Sequence, residues 1–294
     1  MADTTNLTLR LRDGRQLGYR TLGDPSGRPV LFFHGIPGSR WVLGDRDELV
    51  QLPGVHWILP ERPGYGLSDP RPGRSVLDCA EDVEQLADHL GLERFVVAGV
   101  SGGGPHALAC GHRLGERLDA ILLFASPAPT DVPGAMKGMA WGNRIGIWLS
   151  RWVPGLLRRL TASQRRAFLE DPEGYVRALT GQMSESDART LVDPVVLAAV
   201  VKDFQEAFRQ GSDATFEDGQ LAMSAGSWGF DLAEIHTPVY LWHGEADTLA
   251  PVTMGRALAQ ALPRCEADFI PDVGHLITEA SEVVGQVEEV LSGL

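Results

Sequence analysis

Apolar residues alternate along the start of the chain. Leu7, Leu9 and Leu11 take every second position of 5–12, and alternation resumes over 16–22 after Asp13-Gly14. Two such runs joined by an Asp-Gly turn predict an antiparallel hairpin. The pattern then changes to short apolar-rich runs at 29–33, 55–60, 95–98, 120–124 and 238–242, with a last strand at 267–270. Continuous apolar runs of this length fit strands covered on both faces. Between them lie helical segments. In 75–90, Val76, Cys79, Val83, Leu86 and Leu90 fall near one face and Gly91 ends the run; 105–117, 252–261 and 278–291 also read as helices. Strands alternating with helices predict an α/β fold: a doubly wound, mostly parallel, eight-stranded sheet with right-handed crossovers.

The alternation breaks after 125–129. From about 131 to 228 the chain is helix-like without a clear strand, so the expected organisation is a core at 1–129, an inserted helical cap at 130–228, and the rest of the core at 229–294. Trp141, Ile145, Trp148 and Trp152 fall at helical spacing, with Arg144 and Arg151 near them. Such a stripe suits a membrane-surface helix or a cap packed over a pocket. The second is expected, because the segment lies between two strands of one sheet.

Composition narrows the partners. With 294 residues, 44% of them apolar, the chain can bury the core of one large α/β domain with an insertion. Lys and Arg number 26 against 39 Asp and Glu, a net charge of −13, which argues against nucleic acids and anionic membrane surfaces. Cys79, Cys110 and Cys265 are widely spaced, odd in number and without a CxxC pair, so neither a disulfide framework nor a zinc site is expected. No apolar run has the length to span a bilayer, and the first six residues offer neither a basic nor an apolar leader segment. The expectation is a soluble cytoplasmic protein with no membrane insertion.

The candidate chemistry centres on Gly99-Val100-Ser101-Gly102-Gly103, which follows the run Phe95-Val96-Val97-Ala98 and precedes an Ala/Leu-rich helix. A serine on a sharp strand-to-helix turn is pushed out of the sheet toward a substrate, and the crowded turn demands small neighbours. Ser101 is thus the candidate nucleophile, and the Gly102 amide, at a helix start, is a candidate oxyanion donor. The loop His34-Gly35-Ile36-Pro37-Gly38 follows another buried strand, and the Ile36 amide is the expected second donor. Asp247 and His275 also stand just beyond strand ends, which share one crevice in a doubly wound sheet. His275 alone has an unperturbed pKa near neutrality, so it suits proton transfer, and Asp247 suits fixing its tautomer. Asp131 and Glu245 are the rival acids.

The order Ser, Asp, His resembles the α/β-hydrolase fold superfamily. The resemblance spans nearly the whole chain through five ordered motifs: the 34–38 loop, Arg62-Pro63-Gly64-Tyr65-Gly66-Leu67-Ser68, the Ser101 elbow, Trp242-His243-Gly244-Glu245-Ala246-Asp247 and Gly274-His275. It implies that the inserted helices form a lid shaping the acyl and alcohol pockets. Relatives acting on epoxides or haloalkanes carry an aspartate nucleophile, whereas this chain has Ser101. Glu61 stands where the family commonly has aspartate before the Arg-Pro-Gly loop, and a bracing role is expected of it.

The resulting expectation is a serine hydrolase that cleaves a small-molecule ester, thioester or lactone without metal or organic cofactor. Carbon–carbon hydrolase, aminopeptidase, perhydrolase or tailoring chemistry on the same triad is the alternative, and a non-catalytic small-molecule receptor is a third. Arg144, Arg151, Arg158 and Arg159 would either meet an anionic substrate or form a solvated helix face.

Overall fold

Eight strands form one sheet: β1 (Leu7–Arg10), β2 (Gln16–Gly23), β3 (Arg28–Phe33), β4 (Val55–Pro60), β5 (Phe95–Val100), β6 (Leu118–Phe124), β7 (Val239–Gly244) and β8 (Cys265–Ile270). Their spatial order is β1-β2-β4-β3-β5-β6-β7-β8. The computed structural model describes residues 4–294 except 46, 133, 138, 140 and 224–227; the beginning of the chain read above for a leader, 1–3, lies outside the described residues.

The opening hairpin pairs antiparallel, with Leu9 opposite Leu17, and β2 pairs antiparallel with β4. Every pairing from β4 to β8 is parallel. The apolar runs are continuous because both faces are buried. Leu31, Val97 and Leu123 enter one core cluster, while Phe32, Val96 and Leu122 enter the cluster on the opposite face. β8 starts two residues earlier than the apolar pattern marks, so Cys265 lies inside the strand, pairing with Val239.

Four helices cover the sheet: α1 (Asp78–His89), α2 (Gly104–Leu114), α9 (Val252–Ala261) and α10 (Ser281–Gly293). Reciprocal bonds between Ser75 and Asp78 occupy the turn ahead of α1, so the regular helix begins at Asp78 rather than Ser75. Among the described residues six more lie between β6 and β7: α3 (Trp141–Trp152), α4 (Pro154–Glu170), α5 (Pro172–Leu179), α6 (Glu185–Thr190), α7 (Pro194–Ala207) and α8 (Asp213–Met223). The stretch from α4 to the end of α7 shares a small core of Phe168, Val176, Leu191, Leu197 and Phe208, against which Leu276 packs. Among the described residues no helix is long and apolar enough to cross a membrane.

The tryptophan stripe differs from its expected packing. Trp141, Trp148 and Trp152 face solvent rather than a pocket. The other side of α3 is turned inward, where Ser150 is buried and its carbonyl accepts from Gln220 of α8 at 2.9 Å. A helical stripe looks the same in sequence whether it faces a core or water.

Candidate active site

β5 delivers Ser101 directly into α2. Ser101 has φ 51°, in the left-handed region that residues with a side chain rarely adopt, which is the strained turn that lifts its hydroxyl off the sheet. The turn is tight enough that glycine is required on sterics alone. A methyl on Gly99 would stand 2.6 Å from the Gly103 carbonyl, and one on Gly103 would run into the Phe33 and His34 carbonyls.

At the ends of β7 and β8 the structure brings Asp247 and His275 together. His275 Nδ1 lies 2.7 Å from Asp247 Oδ2. The other oxygen, Oδ1, accepts from the amides of Leu249 and Ala250, so one carboxylate both closes its own turn and meets the imidazole. Burial raises the carboxyl's pKa, but His275 and His243 outweigh it and hold Asp247 well below the usual carboxylate range. An ionised Asp247 requires Nδ1–H on His275, which leaves Nε2 as the acceptor. His275 is itself shifted upward: burial opposes its charged form, and the charges of Asp247 and Asp187 more than reverse that. Of the rival acids, Glu245 is engaged with Arg256 at 2.5 Å and Asp131 is an exposed turn residue.

The loop after β3 lies against the elbow. A methyl on Gly35 would stand 3.6 Å from Ser101 Cβ, and one on Gly102 would collide with the Ile36 side chain, so the two peptide segments expected to supply donors are adjacent. The loop is held from beneath. His34 Nε2 accepts from the Arg62 amide at 3.3 Å, which places the proton on Nδ1, 2.9 Å from the Gly35 carbonyl. Burial, then the charge of Arg62, keeps His34 well below its ordinary pKa and so neutral. The Arg62 guanidinium donates to the carbonyls of His34 and Gly35. Glu61 accepts from Arg40 Nη1 and from the Leu67 amide, both at 2.7 Å. That is a brace, and a side chain on Gly66 would run into it.

Three buried carboxylates of the inserted helices reach this machinery, and the sequence reading missed all three. Asp187 of α6 accepts from the amides of His275 at 2.9 Å and Leu276 at 2.8 Å. Asp203 of α7 accepts from the amide and hydroxyl of Ser39, each at 2.7 Å. Asp218 of α8 takes Arg62 Nε and Arg74 Nη2, each at 2.6 Å. Burial works against the Asp218 charge, yet the two guanidiniums hold its carboxyl far below the ordinary range. The one signal in sequence was Ser184-x-x-Asp187, a capping box whose acid, once folded, also faces the His275 loop.

Fold and site together define an α/β scaffold of hydrolase type. Comparison with known sequences makes this specific: residues 28–279 match the alpha/beta hydrolase fold family, and the chain belongs to it. It is 32% identical to a proline iminopeptidase from Xanthomonas citri over 301 residues, covering 94% of this chain and 92% of that protein. It is 30% identical to the non-heme chloroperoxidase CPO-A1 from Kitasatospora aureofaciens, covering 90% of each. Among solved structures, a thermophilic esterase from Thermogutta terrifontis superposes with a TM-score of 0.67 at 25% identity, covering 98% of each chain. These comparisons support a hydrolase and leave the bond it cleaves to chemistry.

Proposed function

We propose that the protein is a serine hydrolase that cleaves a small-molecule carboxylic ester, thioester or lactone through an acyl-enzyme on Ser101. The observation that carries this reading is the 2.7 Å bond between His275 Nδ1 and Asp247, which leaves Nε2 as the proton acceptor that the proposed Ser101 nucleophile needs. Ser101 Oγ attacks the carbonyl carbon as Nε2 takes its proton. Asp247 stabilises the imidazolium that results, and the Ile36 and Gly102 amides receive the charge that builds on the carbonyl oxygen. His275 returns the proton to the leaving alcohol, and a water activated by the same nitrogen releases the acid. Every step uses this chain's own groups, so the mechanism calls for no metal or organic cofactor. The 130–228 insertion acts as the cap over this crevice, and 1–129 with 229–294 as the catalytic core.

The similarity to proline iminopeptidase favours one second reading, in which the same triad cleaves the amide after an amino-terminal residue. A panel of p-nitrophenyl esters of increasing acyl length, with prolyl p-nitroanilide beside it, separates the two. Ester turnover is expected, with a loss of at least ~10³-fold in His275→Ala. Ser101→Ala should abolish labelling by a fluorophosphonate. Persistent labelling at another serine would sink the assignment, and turnover of the anilide alone would establish the peptidase.

A further inference from the structure

The α3–α4 hairpin presents a surface that ester cleavage leaves unused. Trp141, Trp148 and Trp152 are 78%, 55% and 65% exposed. At 100° per residue they lie within about 40° of one line along α3. Val153 at the junction and Leu156 and Leu160 of α4 are exposed apolar residues as well. Indole rings are costly to leave in water, and contiguous apolar surface on a folded protein marks a contact site.

Charge is partitioned just as sharply. Residues 137–169 hold seven Lys and Arg and no Asp or Glu, which leaves 19 basic residues against all 39 acidic ones elsewhere. Arg144 and Arg151 run along one flank of the tryptophan line, and the Arg151 guanidinium sits 5.6 Å from the Trp152 ring. Arg159 and Arg166 are exposed on α4, while Arg158 pairs with Asp213 at 2.6 Å. The net charge of the whole chain is therefore the wrong average for this face.

We propose that the α3–α4 face is a docking surface for an anionic lipid bilayer, on which the protein binds peripherally without inserting a helix. Indole rings suit the boundary between headgroups and acyl chains, and guanidiniums suit lipid phosphates. An amphipathic helix with tryptophan on one face and arginine beside it is the arrangement that lies in that plane. Charge complementarity selects the bilayer over a second copy of the chain. A two-fold contact through this face would set one row of arginines against its own image. The acidic remainder of the molecule, repelled by the same lipids, would favour the orientation with α3–α4 facing the membrane. This site is independent of the ester-cleaving reading and stands or falls without it.

Co-sedimentation of the full chain with vesicles tests the surface. Phosphatidylcholine vesicles are compared with vesicles in which about a third of the lipid is phosphatidylglycerol, at low salt and at about 0.5 M NaCl, where the Debye length shrinks to a few ångströms. Binding at least ~10-fold stronger to the anionic vesicles, weakened by salt, is expected. The double variant Trp148→Ala/Trp152→Ala should weaken it a further ~10-fold or more, with circular dichroism and thermal unfolding unchanged. Failure to bind, equal binding to neutral vesicles, or binding indifferent to the double substitution would each overturn the proposal. So would a dimer in sedimentation equilibrium that the double variant dissolves while vesicles bind nothing, since a second copy would then occupy the face.

Discussion

His275 sits between two opposing influences, and the balance sets when it can work. In the proposed mechanism it accepts the serine proton and must then be neutral, and it is held above its ordinary value of 6.5 because Asp247 and Asp187 outweigh burial. The acid limb of kcat/KM should therefore fall above pH 6.5, because lowering pH through the raised value protonates the base. Replacing Asp247 with Asn removes the larger of the two charges that raise the imidazole and leaves the burial that lowers it. The limb should then move to lower pH while kcat drops about 10³- to 10⁴-fold, the usual consequence of a misdirected tautomer. Steady-state rates of both proteins from pH 5 to 9 check this, and an unmoved limb would mean another group titrates. Ser101 adds a constraint of a different kind. Its φ of 51° is a conformation the turn imposes, so under the proposed mechanism the nucleophile would be oriented by the backbone alone.

The elements that hold these residues differ in how readable they were. Buried parallel strands announce themselves as apolar runs, and β5, β6 and β7 each deliver their C-terminal residues where that pattern predicts. Asp247 and His275 were legible for the same reason, since each follows such a strand and carries suitable chemistry. Asp187, Asp203 and Asp218 were not, because a helical carboxylate is ordinarily a solvated one, and only tertiary packing turns these three inward. The Trp141, Trp148 and Trp152 stripe was legible as a stripe and not in its direction. Asp187 offers the sharpest test of how α6 acts on the site. Asp187→Asn keeps the shape but sets an amide N–H₂ against backbone N–H groups that had an acceptor. The His275 loop should shift, lowering kcat about 10- to 100-fold with KM little changed. The acid limb should also move to lower pH, because one of the charges raising the imidazole is gone; a merely structural role would leave the pH profile in place.

Taken as a whole, the molecule carries buried acids of two opposite kinds, and its stability should depend on pH accordingly. Asp47 and Asp203 are pushed up to about 7 by burial, Asp47 further by Glu279. An unfolded aspartate titrates near 4, so between about pH 4 and 7 the folded state keeps protons the unfolded state has lost, and stability falls as pH rises. His275 acts in the same direction: its contribution is complete below 6.5 and is lost as pH rises through its raised folded value. Asp218 and Asp247 are held low, so their contribution is constant here and disappears only in acid. His34 and His106, kept neutral by burial, act the other way, because below about pH 6.5 the unfolded chain takes up protons that these two folded imidazoles refuse. The acids and His275 outweigh them, so the urea midpoint should be higher at about pH 5.5 than at about pH 8, by an unfolding free energy of roughly 1–3 kcal/mol; a midpoint that rises with pH would contradict this. The three inward carboxylates have one further consequence. Each has a counterpart outside the insertion: Asp187 meets the amides of the His275 loop, Asp203 meets Ser39, and Asp218 meets Arg62. Grafting a foreign helical segment onto this sheet to change specificity would import new pocket walls and strand those counterparts. A working chimera must carry acids at the same three places, or have Ser39, Arg62 and the Gly274 turn redesigned along with it.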